Sequence, residues 1–156
     1  MKWYRLQRHD FLNHWQVIMG YLQLNNPDKA LEYMRKALQG IQNEQKIGQI
    51  SNDILGAILL GWVNRLRQQE INTTIDYPET MKEQGYWQDN WFDEYAEAFY
   101  GYTMECMESI DLENSGLLKE CCAEIILEGQ LSCCFRFLRE GVRLREIRFA
   151  PNNPGV

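Results

Sequence analysis

The chain has 156 residues, 45% of them apolar and 24% charged, an ordinary composition for one globular domain or two small ones. Its net charge of −6 argues against nucleic acid as a partner, because a phosphate backbone must meet a cationic surface. No run of about 18 apolar residues occurs, so no membrane-spanning helix is expected. The start, MKWYRLQRHD, lacks the apolar core of a signal peptide, and a cytoplasmic protein is expected.

The first predicted helix runs from about Lys2 to Leu24. Phe11, Leu12, Trp15, Ile18, Met19 and Leu22 fall at the spacing of one buried stripe. His9 stands roughly 120° off the centre of that stripe at about 100° per residue. Lys2, Arg5, Asn13 and Gln16 share its exposed row. By periodicity alone His9 reads as a surface histidine on a core helix. The charge pattern adds something. Lys2, Arg5 and Arg8 precede Asn25 with Asp10 as the only acid, whereas Glu79 to Glu128 is strongly acidic, so the N-terminal tip is expected to meet an anionic partner.

Asn25-Asn26-Pro27-Asp28 ends this helix and starts the next: asparagine tolerates the left-handed conformation and proline suits the first helical turn. Leu31, Met34, Leu38 and Ile41 then recur at spacings of three, four and three, an a/d seam. So short a turn makes the helices antiparallel. Two such helices leave apolar surface that a second copy covers in a four-helix bundle. A homodimer is expected, the alternative being that the hairpin packs on its own chain.

Ser51-Asn52-Asp53 caps a third helix, in which Ile54, Leu55, Ile58, Leu59, Trp62, Val63 and Leu66 form a face broad enough for a sheet. Asn72 to Tyr77 reads as a strand closed by Pro78, and Glu79 to Asn90 as a charged loop. A fourth helix is predicted over Trp91 to Ser109, with Phe92, Tyr95, Phe99, Tyr102 and Met107 packing. Leu117 to Leu127, Leu131 to Leu138 and Val142 to Phe149 read as an antiparallel meander. The fold class is α+β. A helical hairpin occupies 1–50, a small α/β domain 51–150, and a disordered tail 151–156. Cys121-Cys122 and Cys133-Cys134 are adjacent pairs, poor metal clamps because strand neighbours point to opposite faces. Buried reduced thiols and no metal site are expected.

Arg8-His9-Asp10-Phe11-Leu12-Asn13-His14, followed by Gln16-Val17-Ile18, Gly20 and Leu22-Gln23-Leu24, resembles the phosphoacceptor box of sensor histidine kinases of the citrate and dicarboxylate type. In that family a dimerising helical hairpin precedes an ATP-binding α/β domain. That domain needs an asparagine-rich helix, an Asp-x-Gly-x-Gly loop and a glycine-rich lid. Here the helix WFDEYAEAFYGYTMECMESI takes the place of the first and has no asparagine, and Gly116, Gly129 and Gly141 stand isolated. Phosphates need backbone donors or cations at close approach, so neither ATP binding nor any intrinsic cofactor is expected.

A histidine box beside a disabled kinase domain is similar to the sporulation initiation phosphotransferase B family of endospore-forming bacteria. The resemblance implies a phosphotransferase that relays a phosphoryl group between the aspartates of two response regulators. His9 would be the nucleophile, with magnesium supplied by the bound regulator. Asp10 would hold the other ring nitrogen's proton or face solvent as a first-turn carboxylate. Asn13, one turn on, would donate to a phosphoryl oxygen. Arg5, Arg8 and Gln16 would meet the regulator, although Arg8 lies nearer the seam. His14, about 140° around the helix, reads as a packing or interface histidine. The alternative is a dimeric docking or inhibitor module without chemistry.

Overall fold

The computed structural model describes residues 2–113 and 121–151, and side chains over 12–110 and 121–151. The tail expected to be disordered and the start of the strand expected from Leu117 lie outside the described residues. The chain is α+β and forms two compact units, one up to Gln42 and one from Asn43 onward.

The first unit is the expected hairpin. Helix α1 spans Lys2–Gln23 and α2 spans Pro27–Gly48. Asn25 takes φ 54°, the left-handed turn that ends α1. Asn26 Oδ1 accepts from Lys29 N at 3.3 Å, satisfying one of the free amides at the start of α2.

In the second unit, helix α3 (Asp53–Gln68) begins at Asn52, whose side chain accepts from Leu55 N at 3.0 Å. Strand β1 (Asn72–Asp76) follows. A 3₁₀ turn over Glu79–Lys82, helix α4 (Gln84–Asn90) and helix α5 (Asp93–Glu113) lead to β2 (Cys121–Leu127), β3 (Cys133–Arg139) and β4 (Val142–Phe149). The sheet order is β1-β2-β3-β4. β1 pairs parallel to β2 with Ile75 opposite Ile125, and β2, β3 and β4 form the meander. Its last turn is Glu140-Gly141, both with positive φ, the two-residue turn whose twist matches the strands.

The core lies between one face of the sheet and α3 and α5. Leu55, Leu59, Trp62 and Leu66 of α3 meet Tyr95, Phe99, Tyr102 and Cys106 of α5 and Ala123, Ile125, Phe135 and Phe137 of the sheet. Trp62 packs edge-on to Phe99 and Tyr102, with centroids at 6.1 and 5.8 Å. Phe149 lies 5.1 Å from Tyr102.

Three expectations are corrected. Residues 79–90 are not a loop: Met81 and Trp87 are buried, and Trp87 Nε1 donates to Met81 O at 2.8 Å, so each short helical segment is pinned by one large side chain. Ile54 is 53% exposed, because the cap at Asn52 sets a phase that turns Leu55 inward instead. Cys122 is exposed whereas Cys106, Cys121, Cys133 and Cys134 are buried, all five as free thiols. The pair at 121–122 alternates as strand neighbours do. Cys134 is buried on the outer face by charged neighbours. Its Sγ lies 3.1 Å from Glu146 Oε1, and Glu146 also meets Arg143 at 2.7 Å and Arg148 at 3.1 Å.

Both sheet edges carry a side-chain cap. Asn43 Nδ2 donates to Thr73 O at 2.8 Å and Lys46 Nζ to Ile75 O at 3.1 Å on β1. Tyr102 donates its hydroxyl to Ile147 O on β4 at 2.5 Å. The last turns of α2 therefore belong to the α/β unit, where Ile47 joins the core.

Candidate functional site

The site residues read from the sequence lie along α1, which is helical from Lys2. Positions 9, 13 and 16 follow one another on one side of such a helix, since steps of four and three return to nearly the same angle. Asn13 and Gln16 are exposed. The side chains of Arg5, Arg8, His9 and Asp10 lie outside the described residues, and their positions are fixed only as members of the helix.

The opposite side of the hairpin is apolar. Leu12, Trp15 and Leu22 are 50%, 56% and 49% exposed in the single chain, and Leu31, Met34 and Leu38 are comparably open. Trp15 and Ile18 of α1 and Leu31, Met34, Leu38 and Ile41 of α2 line a groove of about 380 Å³, with His14 and Arg35 at its margin. The seam read from the sequence is thus one continuous surface shared by both helices. Exposed apolar surface of this extent marks an interaction site rather than a solvated face.

His14 is half-buried, its Nδ1 lies 2.7 Å from the hydroxyl of Tyr33, and the rings stand 5.6 Å apart. Tyr21 approaches the same tyrosine from two turns further along, at 6.4 Å. His14 is therefore a packing histidine between α1 and α2. Tyr33 and Arg35 were not singled out by sequence reasoning. The seven-residue spacing of His14 and Tyr21 on one flank was the available sign of an aromatic partner.

Two phenols of the α/β unit are buried in its core. Tyr95 and Tyr102 lie in the space between α5 and the sheet, and burial pushes both hydroxyls well above the ordinary phenol range. Burial likewise pushes the Cys106 thiol up to about 12. Among the described residues no group of three His, Cys, Asp or Glu is placed to hold a metal ion, and no helix is long and apolar enough to cross a membrane.

Residues 1–50 match the family model described as "Sensor_kinase_SpoOB-type, alpha-helical domain". The chain is 30% identical over 74 residues to the "Sensor protein CitS" of Bacillus subtilis (strain 168). That stretch is 46% of this chain and 14% of the relative, so the chain spans a small part of that protein's length. The hairpin carrying His9 is thus the part a family model matches, and through it this chain is similar to the sensor-kinase proteins of two-component signalling.

Proposed function

We propose that this chain is a histidine phosphotransferase that passes a phosphoryl group from one response-regulator aspartate to another through phospho-His9, as part of a sporulation relay. The observation that carries the reading is the two-sidedness of the hairpin. Asn13 and Gln16 are exposed and do not line the Trp15–Ile18 groove, and the helical period puts position 9 on their row. A second copy covering the groove leaves that row open to a partner. The homodimer is accordingly a four-helix bundle.

The chemistry asks little of the protein beyond position and charge. A neutral ring nitrogen of His9 attacks the phosphorus of the regulator's acyl phosphate in line. The phosphorus–nitrogen bond forms as the bond to the carboxylate oxygen breaks, and the carboxylate leaves with the electron pair. A histidine near its ordinary pKa of about 6.5 is mostly neutral at pH 7. Asp10 holds the other ring proton, and Asn13 donates to a phosphoryl oxygen. Arg5 and Arg8 draw in the acidic partner, with Gln16 at the margin of the contact. The second half-reaction reverses these bonds onto another aspartate. Magnesium arrives with the regulator, and no site on this chain is assigned to it.

The aromatic filling between α5 and the sheet supports a relay rather than an ATP-driven kinase. Phe99, Tyr102 and Phe149 occupy the interior, and α5 supplies acids where a triphosphate needs donors. Free thiols throughout suit a cytoplasmic setting. Incubation with a phosphorylated regulator, and separately with labelled ATP and magnesium, tests the reading. Label reaching the chain from the regulator only is the expected result. Label from ATP alone makes it a kinase, and label from neither makes it a docking module.

A further inference from the structure

The hairpin holds one cation that its own fold leaves without a counterpart. Arg35 is exposed at the margin of the apolar groove. Its side chain makes no hydrogen bond or ion pair with any described residue, whereas the adjacent Lys36 pairs with Glu32 at 3.5 Å. Among the described residues it is the one Lys, Arg, Asp or Glu on the lining of the groove. A second copy laid there leaves the guanidinium at the edge of the contact, where it needs water or an anion.

The place of Arg35 on α2 sets it apart from its own α1. Ala30, 2% exposed, and Tyr33, which holds His14, mark the flank of α2 that meets α1. At about 100° per residue, Arg35 stands roughly 140° from the first and 160° from the second. On α1, position 9 stands roughly 140° from His14. Both therefore face away from the contact between the two helices of one chain. Leu12 and Met19 of α1, 50% and 41% exposed, lie between the groove and the row of position 9, with Leu12 roughly 60° from that position. In an up-and-down bundle this flank receives the second copy's α2, antiparallel to α1. Heights follow from the His14–Tyr33 contact. Arg35, two residues further along α2, is level with Leu12, two residues back on α1, and a two-fold axis along the bundle keeps those levels in the second copy. Position 9 is three residues beyond Leu12, about 4.5 Å along the axis.

We infer that Arg35 of one copy supplies the cation for the phosphoryl group transferred at His9 of the other, so that each site of the dimer is built from α1 of one chain and α2 of the second. This rests on the relay proposed above. The guanidinium donates to the phosphoryl oxygens and offsets their charge while the phosphorus–nitrogen bond forms and the bond to the regulator's carboxylate oxygen breaks. It gives up no proton, and it serves the return transfer in the same way. Within one chain the same arginine is turned away from its own His9 row.

Mixed dimers of the full chain test this. His9→Gln and Arg35→Ala chains are unfolded together in urea and refolded, with circular dichroism and light scattering reading fold and dimer, and Arg35→Gln repeats the test with a longer neutral side chain. Label uptake at saturating phosphorylated regulator should slow on the order of a hundredfold in Arg35→Ala and stop in His9→Gln. In the mixture the Arg35→Ala chains should regain speed, because each mixed dimer joins an intact His9 to an intact Arg35 across the two copies. Wild type refolded with the double variant should conversely lose speed. Arg35→Ala as fast as wild type, or a mixture no faster than Arg35→Ala alone, overturns the proposal. Placement is read without any transfer by refolding Leu12→Cys chains with Arg35→Cys chains. A short bismaleimide should then join positions 12 and 35 of different chains, as mass mapping of the linked peptide shows. Wild type that takes no label sinks the relay reading and the role of Arg35 in it, whereas wild type that takes label without the 12–35 link sinks the placement of Arg35 alone.

Discussion

The imidazole Nδ1 of His14 lies 2.7 Å from the hydroxyl of Tyr33 across the α1–α2 interface. This bond ties the two helices of the hairpin at one level and gives the chain's second histidine a partner on α2. Tyr33→Phe removes the hydroxyl and keeps the ring beside Tyr21. A cost of about 0.5–1.5 kcal/mol is expected, the usual net worth of one such bond. Urea unfolding of wild type and variant measures it. No loss at all would show that the bond does not tie the helices.

Asn43 is 2% exposed and donates to Thr73 O on the edge of β1. Asn43→Leu keeps bulk but leaves that carbonyl without this donor, at an expected cost of about 1–3 kcal/mol. A fragment beginning at Asn43 should accordingly unfold at higher urea than one beginning at Ser51, which also lacks Ile47. Equal midpoints would show that the end of α2 is not part of the α/β unit.

The thiols give a test of burial and its pH consequence. Cys122 is exposed and the other four are buried, so native protein should be alkylated quickly at one position and at the rest only after unfolding. Mass mapping of the labelled peptide reads this directly. For Cys106 the folded value, about 12, lies above its ordinary 9.0. Between these values the unfolded chain binds fewer protons, so this contribution is whole below pH 9 and is lost as pH rises toward 12. Denaturant midpoints measured across that window should fall steadily. A midpoint that rises would contradict the sign.

Much of this fold was legible because its signals are local. The span Val142–Phe149 coincides with β4, and Asn25-Asn26-Pro27 with the hairpin turn. What escaped was non-local. Nothing near Asn72 announces that β1 runs parallel to β2. Met81 and Trp87 sit in a stretch so rich in charge that two single anchors do not make a period. Cys134 is buried by Glu146 and arginines, a cover that hydrophobic patterning cannot see. At the candidate site, the helical period puts positions 9, 13 and 16 on one row, and of these the described Asn13 and Gln16 are exposed. Tyr33 was not legible in this way, since its role depends on how α2 is rotated against α1.

The groove predicts the consequence of Leu38→Ala. Leu38 is 54% exposed in the single chain, so truncation there should cost the isolated hairpin little. In a bundle of two copies it is buried, and the cost becomes about 2–5 kcal/mol. Stability of wild type should therefore rise with protein concentration, and that dependence should weaken in the variant. Light scattering that finds wild type monomeric at high micromolar concentration removes the dimer.

His9→Gln is the decisive substitution. Position 9 stands off the apolar stripe of α1, so the change should leave helix content and dimer intact. Glutamine offers hydrogen bonds but no ring nitrogen, and label from a phosphorylated regulator should no longer reach the chain. His14→Gln should retain most transfer, because the Tyr33 pair sits on another flank of α1. Arg5→Ala should slow docking without stopping it, an effect that shrinks with salt as exposed charges are screened. If His9→Gln still takes up label while His14→Gln does not, the reacting face is the one beside Tyr33. If both take up label, the variant lacking both of the chain's 2 histidines decides: label on it shows that the acceptor is not a histidine.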